Sequence, residues 1–467
     1  MEARPNLWGP TGSTLTEGTS RNLDHLYDQY LQAHEKEAVE AISNFHERLE
    51  KSLVKYGRFT IPTFYKPHIL TPKQEQLLKR VNSALMEIVN TATRLYFEET
   101  HLRHYFQLTP EAKTLIEIDP GYPRNVIFAR FDAFLQGESF KVIELNCDSP
   151  AGAGYADLLE EMLFEEKLLQ GFFTEYGMKR DMRREKVLSA LLGAWEEFGG
   201  YEAPNIAIVD WKNVRTLPEF EAFKTFFESK GYKTDIADPR ELSYKGGKLY
   251  HKNFRIHIVY RRVIFDELLE RLDEVKDFIR AYQDKAICMV NPLRSKLGSP
   301  KALLSILTNP EYDHYFTEEE NRIKREHLCW TRRLADADKF YGGKKIYLVD
   351  FLKDEKETLI LKPSSGYGGK GVWIGRESKD DEWNGAIDKA LKSEYVVQEF
   401  VNIPIVTVPI VVNRKLDFAY KKINLNCLVV GSKLAGNFSR LSDESVINVA
   451  RAGGLVPTIA GDIELDR

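Results

Sequence analysis

The chain has 467 residues, enough for two or three domains with buried cores. Hydrophobic residues at 43% and charged residues at 29% are ordinary for a soluble globular protein. Lys and Arg number 66 against 70 Asp and Glu, which excludes a nucleic-acid binder that works through bulk positive charge.

The start, MEARPNLWGP, lacks the basic-then-apolar pattern of a secretory leader, and no apolar run is long enough to span a bilayer. The first twenty residues, rich in Gly, Thr and Ser, predict irregular chain. From Asn22 to Tyr56 apolar residues recur at helical spacing (Leu26, Tyr30, Val39, Ile42, Phe45, Leu49, Leu53). After a Pro-rich connection, Thr71-Pro72-Lys73-Gln74 reads as a capped helix start, with the helix running to about Glu98. Between Asn125 and Asn146 the patterns VIFARFDAFL and FKVIELN, separated by Gln-Gly-Glu-Ser, predict a hairpin. Helices follow over 155–172 and 180–198.

A new unit begins near Pro204. NIAIVDW reads as a strand, PEFEAFKTFFESKGY as a helix ending at Gly231, and KTDIAD and RIHIVYRRV as strands. This order predicts an α/β unit, Rossmann-like in outline, although it carries no GxGxxG. Past Pro292 the pattern predicts a capped helix from Ser299, a strand over 345–351 and a glycine-rich loop between two strands. A helix over 383–391, the strand YVVQEFV and further strands complete the chain. The four cysteines (Cys147, Cys288, Cys329, Cys427) are widely spaced and form no CxxC, so buried thiols in a reduced, cytoplasmic protein are expected.

Two clusters carry chemistry. In a strand, residues i and i+2 share a face, so Arg130 points with Asp132 and Glu144 points with Asn146. Paired as a hairpin, the four would converge, while Phe131 and Leu145 would face apolar packing. Two carboxylates and an amide oxygen are hard ligands suited to Mg²⁺, and an arginine beside them can stabilise a phosphoryl group in transfer. The alternative is a surface salt bridge between Arg130 and Asp132 or Glu144.

The second cluster is Leu359 to Gly375, LILKPSSGYGGKGVWIG. Lys362 ends a strand, Ser364 and Ser365 follow, and Gly366, Gly368, Gly369 and Gly371 crowd the next positions. Such a backbone can approach a ligand closely and aim N–H groups at phosphate. It lacks the GxxxxGK[ST] of a P-loop, and a plain hairpin with a flexible loop is the competing reading. Downstream, Tyr395 to Val401 is either an adenine slot or an ordinary core strand. Arg261 and Arg262 are either a bidentate carboxylate binder or a solvated or structural pair. His101, Arg103 and His104 are similarly ambiguous.

Together the two clusters resemble the ATP-grasp superfamily of carboxylate–amine ligases, and most closely its circularly permuted branch around the synthetase domain of glutathionylspermidine synthase. Arg130-x-Asp132 and Glu144-x-Asn146 match that family's Arg-x-Asp and Glu-x-Asn pairs, and Asp148-Ser149-Pro150 its following segment. The glycine loop comes after the metal carboxylates, as in the permuted order. Lys301 in SPKALL, Lys362, and Gln398-Glu399 at the hinge are further matches, and Asn448 to Gly454 resembles a closing glycine-rich segment. Lys301 would sit in the first turn of its helix, where a cation opposes the dipole unless a phosphate lies nearby.

The resemblance spans roughly residues 120–460 and implies an α/β (α+β) fold. Its parts would be a helical region over 1–120, the metal-ligand half of a permuted ATP-grasp core over 121–200, a Rossmann-like substrate domain over 201–290, and the ATP-binding lid with the rest of the core over 291–467. It implies ATP and two Mg²⁺ ions as cofactors. Arg130 would be catalytic, and Asp132, Glu144 and Asn146 metal ligands. Lys301, Lys362, Ser364, Ser365, Gly366, Gly368, Gly369, Gln398, Glu399 and Val401 would contact the nucleotide. The implied reaction joins a small-molecule carboxylate to an amine through an acyl phosphate, releasing ADP and phosphate. A small-molecule phosphotransferase and a non-catalytic ATP-binding module are the alternatives. Neither nucleic acid nor membrane is expected as a partner, and a homodimer is the default assembly.

Overall fold

The computed structural model of the chain describes residues 23–334, 339–366, 369–447 and 453–462. The expected hairpin forms: Phe128–Gln136 pairs antiparallel with Ser139–Asn146. It belongs to a seven-stranded sheet built mostly from the far end of the chain. In space the order is His68–Leu70, Gly454–Ala460, Lys433–Ser442, Lys415–Val430, Phe128–Gln136 and Ser139–Asn146, with Ile405–Val412 also pairing the long Lys415–Val430 strand. Neighbours are antiparallel except His68–Leu70, which runs parallel to Gly454–Ala460.

Strand alternation gives this sheet two unlike faces. Phe131, Ala133, Leu145, Leu425 and Cys427 pack on the helix Pro72–Glu98, whose Leu78, Val81, Leu85, Met86, Ile88, Val89 and Ala92 recur at helical spacing. That helix begins with the expected capping box: Gln74 N–H donates to Thr71 Oγ1 (3.2 Å) and Thr71 N–H to Gln74 Oε1 (3.0 Å). Each buried leucine there contributes about 1.5–3 kcal/mol relative to exposure. The opposite face carries Arg130, Asp132, Asn424, Asn426 and Arg440. Asn426 lies opposite Asp132, and Asn424 opposite Arg440.

A second sheet of four antiparallel strands runs Thr331–Arg333, Tyr395–Glu399, Leu359–Pro363, Trp373–Ile374. Its back face (Leu359, Leu361, Tyr395, Val397) packs on Trp383, Ile387 and Ala390 of the helix Asp380–Leu391. Its other face therefore presents Ile360, Lys362 and Gln398. A third sheet is all parallel, in the order Cys288–Val290, Ile258–Arg261, Ile206–Val209, Thr234–Ala237. The helix Leu217–Ser229 joins two of its strands, and Gly231 turns the chain beyond the helix with φ +90°.

Local patterning misses several boundaries. The helix expected over 22–56 is two, Leu23–Ala33 and Glu35–Lys51, broken at His34. The one expected over 155–172 is also two, Ala153–Phe164 and Lys167–Glu175, with Glu165 and Glu166 between them drawn to Arg48. Ser299 caps no helix. Its hydroxyl instead accepts from Cys147 N–H (3.0 Å), and the helix Lys301–Leu307 starts after Pro300. The strand expected over 345–351 is a short strand, Lys344–Ile346, then a helix, Leu348–Asp354, because Leu348, Phe351 and Leu352 join one apolar cluster at helical spacing. The irregular start expected over the first twenty residues lies outside the described residues. All four cysteines are free and buried. Among the described residues no helix is long and apolar enough to cross a membrane.

Candidate active site

The hairpin register sets Asp132 opposite Glu144 and Arg130 opposite Asn146, so the four polar groups share a face. Arg130 grips Asp132 with a fork, Nε to Oδ1 at 2.8 Å and Nη2 to Oδ2 at 3.3 Å, and donates through Nη1 to the Ala151 carbonyl (3.0 Å). Arg440, from Lys433–Ser442, donates to Asp132 Oδ2 and to Asn426 Oδ1. The Asn426 amide in turn donates to Asn424 O (2.9 Å), and Asn424 to Ala133 O (2.9 Å). Burial opposes charge on Asp132, but the two guanidiniums outweigh it and hold the carboxyl below its usual range. Burial likewise opposes charge on Glu144, and Lys301 outweighs it, again lowering the carboxyl. Lys301 Nζ reaches Glu144 Oε1 (2.8 Å) and the Gly366 carbonyl (3.3 Å), while its backbone N–H donates to Ser364 O (3.0 Å). One lysine thus ties the hairpin to the glycine loop.

Lys362 supplies a second ammonium from the other sheet. Its Nζ donates to Gln398 Oε1 (2.6 Å) and lies 3.4 Å from Ile143 O. Burial pushes its pKa down to about 8, an effect that Glu144 partly offsets. Anion affinity that depends on this ammonium is full well below pH 8, halfway lost near pH 8 and gone as pH rises beyond it. Sulfate affinity of the cleft, measured by titration calorimetry, should therefore fall between pH 7 and pH 9 in the wild type. It should stay nearly level in Lys362→Arg, whose guanidinium remains charged.

A cleft opens between the two sheets. Asp132, Glu144, Lys301, Lys362, Asn424 and Arg440 are among its charged and polar lining. Apolar lining comes from Ile360, Val372, Ile374, Phe400, Val401 and Ile403, and Ser445, Val446 and Ile447 close another side. Ser365, Gly366, Gly369 and Lys370 bring the glycine loop to it. Gly366 has φ +116°. Gly371 has φ +72°, and a Cβ there would lie 2.7 Å from the Tyr395 hydroxyl.

Most residues singled out from the sequence meet here: Asp132, Glu144, Lys301, Lys362, Ser365, Gly366, Gly369, Gln398, Glu399 and Val401 all line the cleft. Three do not. Arg130 holds Asp132, Asn146 sits beside Arg130, and Ser364 anchors the loop through backbone bonds, its N–H donating to Glu394 O (2.8 Å). Gly368 and residues 448–452 lie outside the described residues. Glu399 Oε2 accepts from Trp330 N–H (3.3 Å).

Arg261 and Arg262 are a structural pair, neither solvated nor facing the cleft. Arg261 meets Asp148 Oδ1 (2.7 Å) and Asn291 O (2.9 Å), and Arg262 meets Pro150 O (2.5 Å) and Glu219 Oε2 (3.4 Å). They fasten the turn after the hairpin to the parallel sheet. Arg103 is structural too, donating to Tyr96 O (3.2 Å) and Phe97 O (2.8 Å). Neither it nor His101 nor His104 lines the cleft.

Sequence reasoning missed Arg440, Asn424 and Asn426. The available signal was a lone charge in the otherwise uncharged run GNFSRLS.

Among the described residues no group of three or more His, Cys, Asp or Glu could hold a metal. The hairpin set is two carboxylates and an amide. Both carboxyls are held low and hence ionised. The Asn146 amide nitrogen is buried without a partner, but it is a hydrogen-bond donor, so the oxygens of the set alone bear on a cation. Those oxygens fit a hard divalent cation.

No family model matches the chain, and no curated protein matches it. Among solved structures, a glutathione synthetase-like effector from Globodera pallida is similar at 13% identity over 90% of this chain and 96% of that one, with a TM-score of 0.61. That likeness is one of fold: the chain is a mixed α/β protein of glutathione synthetase-like architecture. A candidate gamma-glutamylcysteine synthetase from Methylobacillus flagellatus aligns at 11% identity over 85% and 90% of the two chains, with a TM-score of 0.42, too low to support any conclusion. The effector is described as glutathione synthetase-like and not as a glutathionylspermidine synthase, the relative that the motifs suggested.

Proposed function

We propose that the protein is an ATP-dependent carboxylate–amine ligase with a circularly permuted ATP-grasp core. In this reading 121–200 and 291–467 form the core and 201–290 a substrate domain. The observation that carries the proposal is the single cleft shared by Asp132, Glu144, Arg440, Lys301, Lys362 and the glycine loop, although loop and hairpin are more than 200 residues apart. Both carboxylates, two lysines and an arginine around one cleft suit a polyanion bound with a divalent cation.

Asp132 and Glu144, the two carboxylates that line the cleft, would hold Mg²⁺, with the Asn146 side-chain oxygen as the third candidate ligand from the same hairpin face, and the ion would neutralise phosphate charge. Lys301 and Lys362 would bind phosphate oxygens. The apolar residues Ile360, Ile374, Phe400 and Val401 would pack the purine faces. A substrate carboxylate oxygen attacks the γ-phosphorus, the bond to the β–γ bridging oxygen breaks, and ADP leaves. The amine nitrogen then attacks the acyl phosphate carbon, phosphate departs with the bonding pair, and the amine proton is lost. Arg440 faces the cleft and would stabilise charge on the transferring group, with Arg130 orienting Asp132. The glycine loop would exclude water that would otherwise hydrolyse the acyl phosphate.

Incubation with ATP, Mg²⁺ and a panel of acid–amine pairs tests this, following ADP, phosphate and amide together. The expected result is all three in equal amounts, dependent on both substrates. A stable phosphorylated product formed without amine would establish a phosphotransferase instead. ATP binding without ADP formation across the panel would establish a non-catalytic module.

A further inference from the structure

We infer that Gln398 is a positioning residue for the phosphate-binding lysine Lys362, not a reader of the nucleotide base. The inference rests on the nucleotide reading above. Gln398 occupies the hinge strand, where a side-chain amide could recognise a purine edge. The sheet directs it elsewhere. Gln398 pairs with Ile360 on one side and Thr331 on the other, which makes Lys362, two residues beyond Ile360, its diagonal neighbour.

The side chain is 1% exposed, and both ends of its amide are engaged. Oε1 accepts from Lys362 Nζ at 2.6 Å, and Nε2 donates to Thr331 Oγ1 at 2.9 Å. Thr331 Oγ1 donates its own proton to the Cys329 carbonyl (2.9 Å).

The polarity of this relay is fixed from both ends. An ammonium has no acceptor, so only the amide oxygen can face Lys362. The carbonyl of Cys329 cannot donate, so the threonine hydroxyl must give its proton there and accept from the amide. The two requirements select the same amide orientation. Of the three Lys362 donors, one is taken by Gln398 and one points toward Ile143 O, which leaves one for a ligand oxygen in the cleft. Thr331 and Gln398 thus hold the ammonium of a long, flexible side chain in one place before a phosphate arrives. This lowers the ordering cost of binding.

Calorimetric titration of wild type, Gln398→Leu, Gln398→Glu, Lys362→Met and the Gln398→Leu/Lys362→Met double variant tests the relay, with ATP, ITP, ADP and adenosine as ligands. Gln398→Leu should weaken ATP and ADP about tenfold, the worth of a hydrogen bond to a charged group. Adenosine affinity and the ATP-to-ITP ratio should stay unchanged. Gln398→Glu keeps the acceptor for Lys362 but replaces the donor to Thr331 with a second acceptor and adds a negative charge, so it should weaken ATP and ADP at least as much as Gln398→Leu while sparing adenosine. The double variant should bind ATP no more weakly than Lys362→Met, because the two residues act as one unit. If Gln398→Leu does not fold, Thr331→Val should show the same phosphate-selective loss in milder form. Equal weakening of adenosine and ATP, a changed ATP-to-ITP ratio, or additive losses would overturn the relay alone. Wild-type protein that binds none of the four ligands would overturn the nucleotide reading and the relay with it.

Discussion

Glu144→Gln is expected to lower ATP turnover by about 10²–10³-fold or more, the scale of losing one preorganised electrostatic contact at a charged transition state. The protein should remain folded. Glu144 is ionised because Lys301, at 2.8 Å, outweighs the cost of its burial. Glutamine keeps the shape and one oxygen but not the charge, which is what a divalent cation requires. The side chain is 28% exposed, so water can reach what the substitution leaves unpaired. The check is ADP release at saturating Mg²⁺ alongside thermal unfolding. Full turnover in the variant would remove Glu144 from the metal set.

Asp132→Ala should behave differently and cost the fold itself about 3–5 kcal/mol, measured by urea denaturation, because it strands buried charge. Asp132 is the shared partner of Arg130 and Arg440. Burial already disfavours the Arg440 guanidinium. Removing the carboxylate leaves two cations side by side in a place with little water. The contrast with Glu144→Gln is the useful result. One substitution should remove activity with little loss of stability, and the other should remove both. A small stability change in Asp132→Ala would show that solvent reaches the arginines more readily than their burial implies.

The candidate site was partly legible in the chain. The i, i+2 pairs Arg130/Asp132 and Glu144/Asn146 needed only strand geometry, and the glycine loop needed only its composition. Ten of the fourteen proposed site residues line one cleft. The capped start at Thr71 was legible for the same reason, since cap and strand patterns are set by neighbours along the backbone. Helix breaks at His34 and at Glu165 were not. At the second, Arg48 draws in Glu165 and Glu166 from more than a hundred residues away.

The sequence by itself determined which side chains share a face: alternation in a strand and periodicity in a helix are properties of the local backbone. Only the tertiary structure decided what each face meets. Arg440 reaches Asp132 across 308 positions of chain. Lys301 meets Glu144, and Arg261 and Arg262 turn out to be anchors rather than substrate binders. Gln398 illustrates the division well. Its place on the hinge strand follows from the sequence, but the direction of its amide is set by the demands of an ammonium on one strand and a carbonyl at the edge of another. Hydrogen-bond polarity of that kind exists only once the strands are side by side.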